Sequence, residues 1–128
     1  MQIEDLCKGY DYDKLDEEVR NNLLILCDRI SLLEIAYGKP FVVTSGFRSM
    51  EDHLRIYKEK CITKVPMKSK HLFGCALDIS DITGELTKWC FANENKLVEY
   101  ELWGEMRQGV WLHLQSEPPA SKKRWFFP

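Results

Sequence analysis

The feature that most constrains this chain is a single apolar stripe near its start. Leu15, Val19, Leu23, Leu26, Ile30, Leu33 and Tyr37 recur at three- and four-residue steps, the period of a helix with one buried face. The stripe predicts a helix from about Lys14 to Tyr37, with Asp13 as its N-cap and Gly38, followed by Pro40, as its stop. A helix with such a face has to be covered by something. The remainder of the chain offers shorter elements, richer in strand-like runs.

Phe41-Val42-Val43-Thr44 reads as a strand that runs into the turn Ser45-Gly46-Phe47-Arg48-Ser49. Ser49, with acidic Asp52 three residues on, predicts a capped helix to about Lys60. Residues 61–70 read as a loop broken by Pro66. Gly74 to Ser80 reads as a strand and Thr83 or Glu85 to Asn93 as a helix. Leu97–Trp103 and Val110–Gln115 read as two more strands, and Arg124-Trp125-Phe126-Phe127 as a last edge strand. Helices early and strands late predict an α+β fold, a small antiparallel sheet with flanking helices, rather than a regular βαβ winding. At 128 residues the chain suits one domain, 1–128, with a core of its own.

Charge narrows the function classes. Eighteen Lys and Arg stand against 20 Asp and Glu, a formal net charge of −2, which argues against a nucleic-acid binder held by bulk charge. Lys122-Lys123-Arg124 is too short a basic run to alter this. No stretch approaches the ~20 apolar residues that span a bilayer. The first residues lack the basic and apolar regions of a secretion signal, so synthesis in a cytoplasm is expected. Five scattered cysteines (Cys7, Cys27, Cys61, Cys75, Cys90) with no Cys-x-x-Cys pair read as reduced thiols. Cys27 and Cys75, among apolar neighbours, read as small core residues.

There are three histidines. His53, in the charged stretch Met50-Glu51-Asp52-His53-Leu54-Arg55, reads as a surface residue. His71 opens a run that ends at Asp78, and His113 sits in Val110-Trp111-Leu112-His113-Leu114-Gln115. Strand side chains alternate between two faces. Val110, Leu112 and Leu114 therefore share a core face, and Trp111, His113 and Gln115 the other. The same rule sets Gly74, Ala76 and Asp78 on one face, with the small residues leaving space beside the aspartate. Two imidazoles and a carboxylate suit zinc, with a fourth position left for water. By spacing and alternation alone the set reads more readily as a structural, hydrogen-bonded Asp–His pair than as a metal site.

Ser69-x-His71-x-x-Gly74-x-Ala76-x-Asp78 resembles the signature of a family of zinc peptidases. The family comprises D-Ala-D-Ala carboxypeptidases, vancomycin-resistance dipeptidases and phage endolysins that cut the L-Ala–D-Glu bond. Ser45-Gly46-Phe47-Arg48-Ser49 is similar to the family's arginine segment, and Trp111-Leu112-His113 to its final W-x-H element. The matches fall in family order between about residues 42 and 115. The resemblance implies a hedgehog-like peptidase fold and one zinc held by His71, Asp78 and His113. It implies that Arg48 holds the substrate carbonyl or carboxylate and steadies the oxyanion, with Ser69, Trp111 and Gln115 contacting substrate.

Many family members carry an acidic base three residues before the last histidine, where this chain has Val110. Leu102-Trp103-Gly104-Glu105 is similar to a segment of phage-type relatives, which implies Glu105 as the general base. The expected function is hydrolysis of stem-peptide bonds in peptidoglycan by a monomer with no nucleic-acid or membrane partner. It would reach the wall through holin release or as a virion component. The alternative is a non-catalytic, zinc-stabilised binding or virion structural module. A hydrolase using Cys75 with His71 is a third reading, set back by the awkward four-residue spacing.

Overall fold

The structure is a computed structural model that describes residues 1–106 and 109–128. Five helices, α1 (Ile3–Cys7), α2 (Glu17–Tyr37), α3 (Met50–Glu59), α4 (Glu85–Ala92) and α5 (Glu94–Glu99), surround five strands. The strands are β1 (Val43–Ser45), β2 (Ala76–Ser80), β3 (Trp103–Glu105), β4 (Trp111–Gln115) and β5 (Trp125–Phe126). Short 3₁₀ turns occupy Tyr12–Lys14 and Lys70–Phe73. The chain is α+β, as its pattern of elements predicts.

Helix α2 forms along its apolar stripe. Leu23, Leu26, Ile30 and Leu33 are fully buried, and Leu15, Val19 and Tyr37 pack against the same core. Each such aliphatic side chain contributes roughly 1.5–3 kcal/mol relative to exposure. Gly38 closes the helix, its N–H donating to Glu34 O at 3.0 Å. The start differs from expectation. The chain makes a 3₁₀ turn at Tyr12–Lys14, capped by Asp11 accepting from Asp13 N–H at 3.1 Å, and the α-helix begins only at Glu17. Asp13 is therefore inside that turn rather than capping α2. Ser49 does cap α3, accepting from Asp52 N–H at 3.2 Å.

The sheet has the order β1-β2-β4-β3-β5. Its pairs are antiparallel except β3 with β5, which run parallel. The expected antiparallel sheet is thus a mixed one, because the segment after β4 carries the chain back to lay β5 alongside β3 in the same direction. The strand expected at Leu97–Trp103 is corrected too. Residues Glu94–Glu99 form α5, which buries Leu97, and the strand starts only at Trp103.

One face of the sheet is core. Leu77, Ile79, Leu112 and Leu114 are at most 1% exposed and pack with α2. The other face carries Asp78 and His113, directly paired across β2 and β4. His53 is a further correction, being 0% exposed. Its ring meets Tyr57 at 4.9 Å between centroids, and its Nε2 bonds Pro66 O at 2.8 Å. The neighbouring Glu51, Leu54 and Arg55 face outward, and the loop after α3 closes over the histidine. No helix among the described residues is long and apolar enough to cross a membrane. All five cysteines are free.

Candidate metal centre

Three elements bring His71, Asp78 and His113 together. Asp78 and His113 are opposite partners in adjacent antiparallel strands, where side chains on one face stand ~4.5–5.5 Å apart at Cβ. His71 arrives from the 3₁₀ turn just before β2, and it is held there by the loop after β1. Its Nδ1–H donates to Gly46 O at 2.9 Å, and Arg48 N–H donates to His71 O at 3.4 Å. Gly46 is required at this point, because a Cβ there would lie 2.1 Å from Leu6 O. The close approach ties α1, the Arg48 loop and the His71 turn into one unit.

Hydrogen bonding fixes which nitrogens face inward. Gln115 Nε2 donates to Glu117 O at 2.8 Å, so its Oε1 is turned to His113 Nε2, 2.9 Å away. That oxygen only accepts, so His113 carries its proton on Nε2 and presents the Nδ1 lone pair to Asp78 Oδ1 at 3.0 Å. The Gly46 carbonyl likewise places the His71 proton on Nδ1, leaving Nε2 to face Asp78 Oδ1 at 3.4 Å. Two lone pairs and a carboxylate oxygen therefore converge, all within 4.8 Å of one another. Acceptors so placed repel unless a cation or proton lies between them. Ligand atoms ~2.0–2.1 Å from a tetrahedral ion stand ~3.3 Å apart, and the 3.0 and 3.4 Å separations bracket that edge. The three residues could hold a metal ion.

The titration behaviour of the group agrees with this electrostatic picture. Burial alone would raise the Asp78 carboxyl, but the neighbouring His113 and His71, which donate to it when protonated on the nitrogens that face it, outweigh burial and hold it well below the usual range. Burial drives His71 down, more strongly than Asp78 raises it, with His113 and Arg48 adding to the fall. For His113 the order reverses. Burial would lower it, yet Asp78, Gln115 and Glu105 together raise it. The pocket thus favours the charged form of His113 and disfavours that of His71.

Of the other expected site residues, Glu105 projects from β3, half-buried, with Oε2 3.9 Å from His113 Nε2. Burial raises its carboxyl, partly offset by His113 and reinforced by Asp78. Arg48 follows the β1 turn, and its buried Nε has no hydrogen-bond partner. Ser69 precedes the His71 turn, half-buried, and makes no side-chain capping bond. Trp111 opens β4 with 41% of its surface exposed. Gln115 is only 3% exposed, and both ends of its amide are engaged by His113 and Glu117.

Cys75 is turned elsewhere. Its thiol bonds Glu117 Oε1 at 3.3 Å, and burial, with Glu117, pushes it up to about 12. That removes the thiolate a cysteine nucleophile needs. The sequence reading missed the Gly46 carbonyl and the aromatic ring of Phe126, which meets His113 edge-on at 6.2 Å between centroids. The two-residue step from His113 to Gln115 was the available signal for the hydrogen bond behind His113. Phe126 had only its place in the expected edge strand. Comparison with protein families, curated proteins and solved structures finds no match.

Proposed function

We propose that the chain is a zinc-dependent peptidase of hedgehog-like fold that hydrolyses stem-peptide bonds in peptidoglycan. The observation that carries this reading is the inward-facing set of His71 Nε2, Asp78 Oδ1 and His113 Nδ1, fixed from behind by Gly46 O and Gln115 Oε1. Two neutral imidazoles and one carboxylate form a catalytic type of zinc ligand set, which leaves a coordination place open. When bound, the ion supplies a Lewis acid for the scissile carbonyl and acidifies water toward pKa ~7.

The chain's own groups then divide the work. Arg48, with its unpartnered buried Nε, holds a substrate carbonyl or carboxylate and steadies negative charge as it develops. Glu105, its carboxyl raised by burial, takes a proton from the attacking water and returns it to the departing amine, a contribution of ~10²–10⁴ in rate. Gln115 acts from behind His113, fixing its tautomer. In this reading Trp111 and Ser69 contact the peptide.

A second reading, a zinc-stabilised binding or virion structural module, is favoured by two observations. Val110 stands where an acidic base is common in the family the sequence resembles, and Glu105 approaches the nitrogen of His113 that faces away from Asp78. Glu105→Gln separates the two. The peptidase loses most turnover on purified sacculi, followed by mass spectrometry of released fragments, while keeping one zinc per chain. A binding module releases no fragments before or after the change. Full activity in the presence of a chelator overturns the zinc reading.

A further inference from the structure

The sheet sets one residue from each of four strands in a row across its open face. Asp78 pairs with His113 across β2 and β4, and Glu105 pairs with Phe126 across β3 and β5. The β3–β4 ladder, Trp103 with Gln115 and Gly104 with Leu114, extends by one step to set Glu105 beside His113, and the 3.9 Å contact agrees. Residues in register share a face. Phe126 is thus the end of the row, half-buried, with its ring edge-on to His113 at 6.2 Å.

The strand that carries the ring is anchored on β3. Gly104 N–H donates to Arg124 O at 2.9 Å and Met106 N–H to Phe126 O at 2.7 Å. The next residue back, Trp125, points to the opposite face, where it packs on the core and stacks on Phe91 at 4.1 Å. A Cβ on Gly104 would lie 2.3 Å from the Trp125 ring, so β5 can approach β3 this closely only over a glycine. Arg124 Nη1 donates to Leu102 O at 2.8 Å and completes the anchor. With Trp125 packed against the core, Phe126 lies on the site face, where its ring meets His113.

We infer that Phe126 is a specificity-determining residue, the wall that receives the side chain of the substrate residue whose amine is released, and that this side chain is small and apolar. The inference rests on the peptidase reading of the site. In that reading the scissile carbonyl lies at the His71–Asp78–His113 centre, the carbon–nitrogen bond breaks, and Glu105 gives its proton to the departing nitrogen. The residue bearing that nitrogen therefore lies toward β3. The next group beyond Glu105 along the row is the Phe126 ring, one strand spacing (~4.8 Å) away. An aromatic face there removes water from an alkyl substituent. An acidic side chain there would lie beside the Glu105 carboxylate and against an apolar ring that offers it no hydrogen-bond donor.

The test uses the full chain loaded with one zinc and the synthetic stem pentapeptide L-Ala–D-Glu–L-Lys–D-Ala–D-Ala, which contains both kinds of bond. Cleavage between the two D-Ala residues is expected. Cleavage only before D-Glu overturns the inference and leaves the peptidase reading intact. Replacing the last D-Ala by glycine is expected to lower kcat/KM about tenfold in the unaltered chain, the scale of one methyl group in an apolar pocket. In Phe126→Ala that preference falls to about twofold or less with zinc content unchanged. Phe126→Leu retains about threefold, and an unchanged preference there overturns the inference even if Phe126→Ala does not fold. If the zinc-loaded chain cuts neither this peptide nor purified sacculi, the peptidase reading fails and this inference fails with it.

Discussion

Buried histidines occur in two places in this molecule, and they are built differently. His53 on α3 donates from one nitrogen to Pro66 O, while its buried Nδ1 meets no partner. His71 and His113 also anchor one nitrogen on an oxygen of the protein, but their second nitrogens converge on the same carboxylate oxygen. Burial and an anchoring oxygen are common to both places. What distinguishes a ligand from a packing residue is where the free lone pair points, and whether a second lone pair and a negative charge point there as well. His53 holds a loop over a helix. The other two, with Asp78, could hold a cation.

Removing a member of the converging set tests this contrast most severely. His71→Ala or Asp78→Ala is expected to weaken zinc binding by more than hundredfold, beyond the ~10–100-fold cost of altering a supporting group. His53→Ala is expected to keep one zinc per chain and instead to lose about 2–4 kcal/mol of folding stability, through a cavity and a lost hydrogen bond. Metal analysis of the purified variants together with urea titrations measures both. Loss of zinc in the His53 variant would break the distinction.

A subtler change acts behind the ligand. Gln115→Leu keeps the volume but leaves the His113 Nε2–H without its acceptor, so the tautomer that presents Nδ1 is no longer enforced. Zinc affinity is expected to fall ~10–100-fold with the fold intact, as isothermal titration would show. If Gln115 served only as a substrate contact, zinc affinity would not move.

The smallest expected effect is in the pH behaviour of the metal-free chain. His113, raised by Asp78 against burial, should titrate above the ordinary 6.5, and His71, lowered by burial, below it. A raised His113 means that the folded chain holds this proton more tightly than the unfolded one. Its contribution to stability is complete below about 6.5 and is lost as pH rises through the higher folded value. Imidazole nitrogen shifts followed by NMR should show the two rings titrating in that order. Zinc added between their midpoints should release the His113 proton.

The shared face of Asp78 and His113 was legible in the sequence because period-two alternation constrains it strongly, whereas His71, in a 3₁₀ turn, was joined to them by the family resemblance. Once Leu112 and Leu114 are assigned to the core, His113 has only one face left, and the same holds for Asp78 between Leu77 and Ile79. Antiparallel pairing then set the two side chains opposite each other. The burial of His53 was not legible, because its helix neighbours are mostly charged and the residue that covers it, Pro66, belongs to a loop with no periodicity. Leu97–Trp103 looked strand-like from Leu97, Val98, Tyr100 and Trp103. The first part nevertheless folds as helix, since it buries Leu97 that way and turns at Glu101, where φ is 54°. The parallel return of β5 could not be seen either. Its partner is chosen by Trp125 finding the bare backbone of Gly104, a tertiary fit with no local pattern.

The direct pairing of Asp78 with His113 also bears on how the chain folds. Were β4 to slide by one position against β2, His113 would turn into the oily interior and a leucine would take its place outside. On the proposed function, metal uptake would therefore be a register gauge. During refolding, zinc should be taken up only when the central strands have locked into their native alignment, so the kinetics of its capture would time that single event.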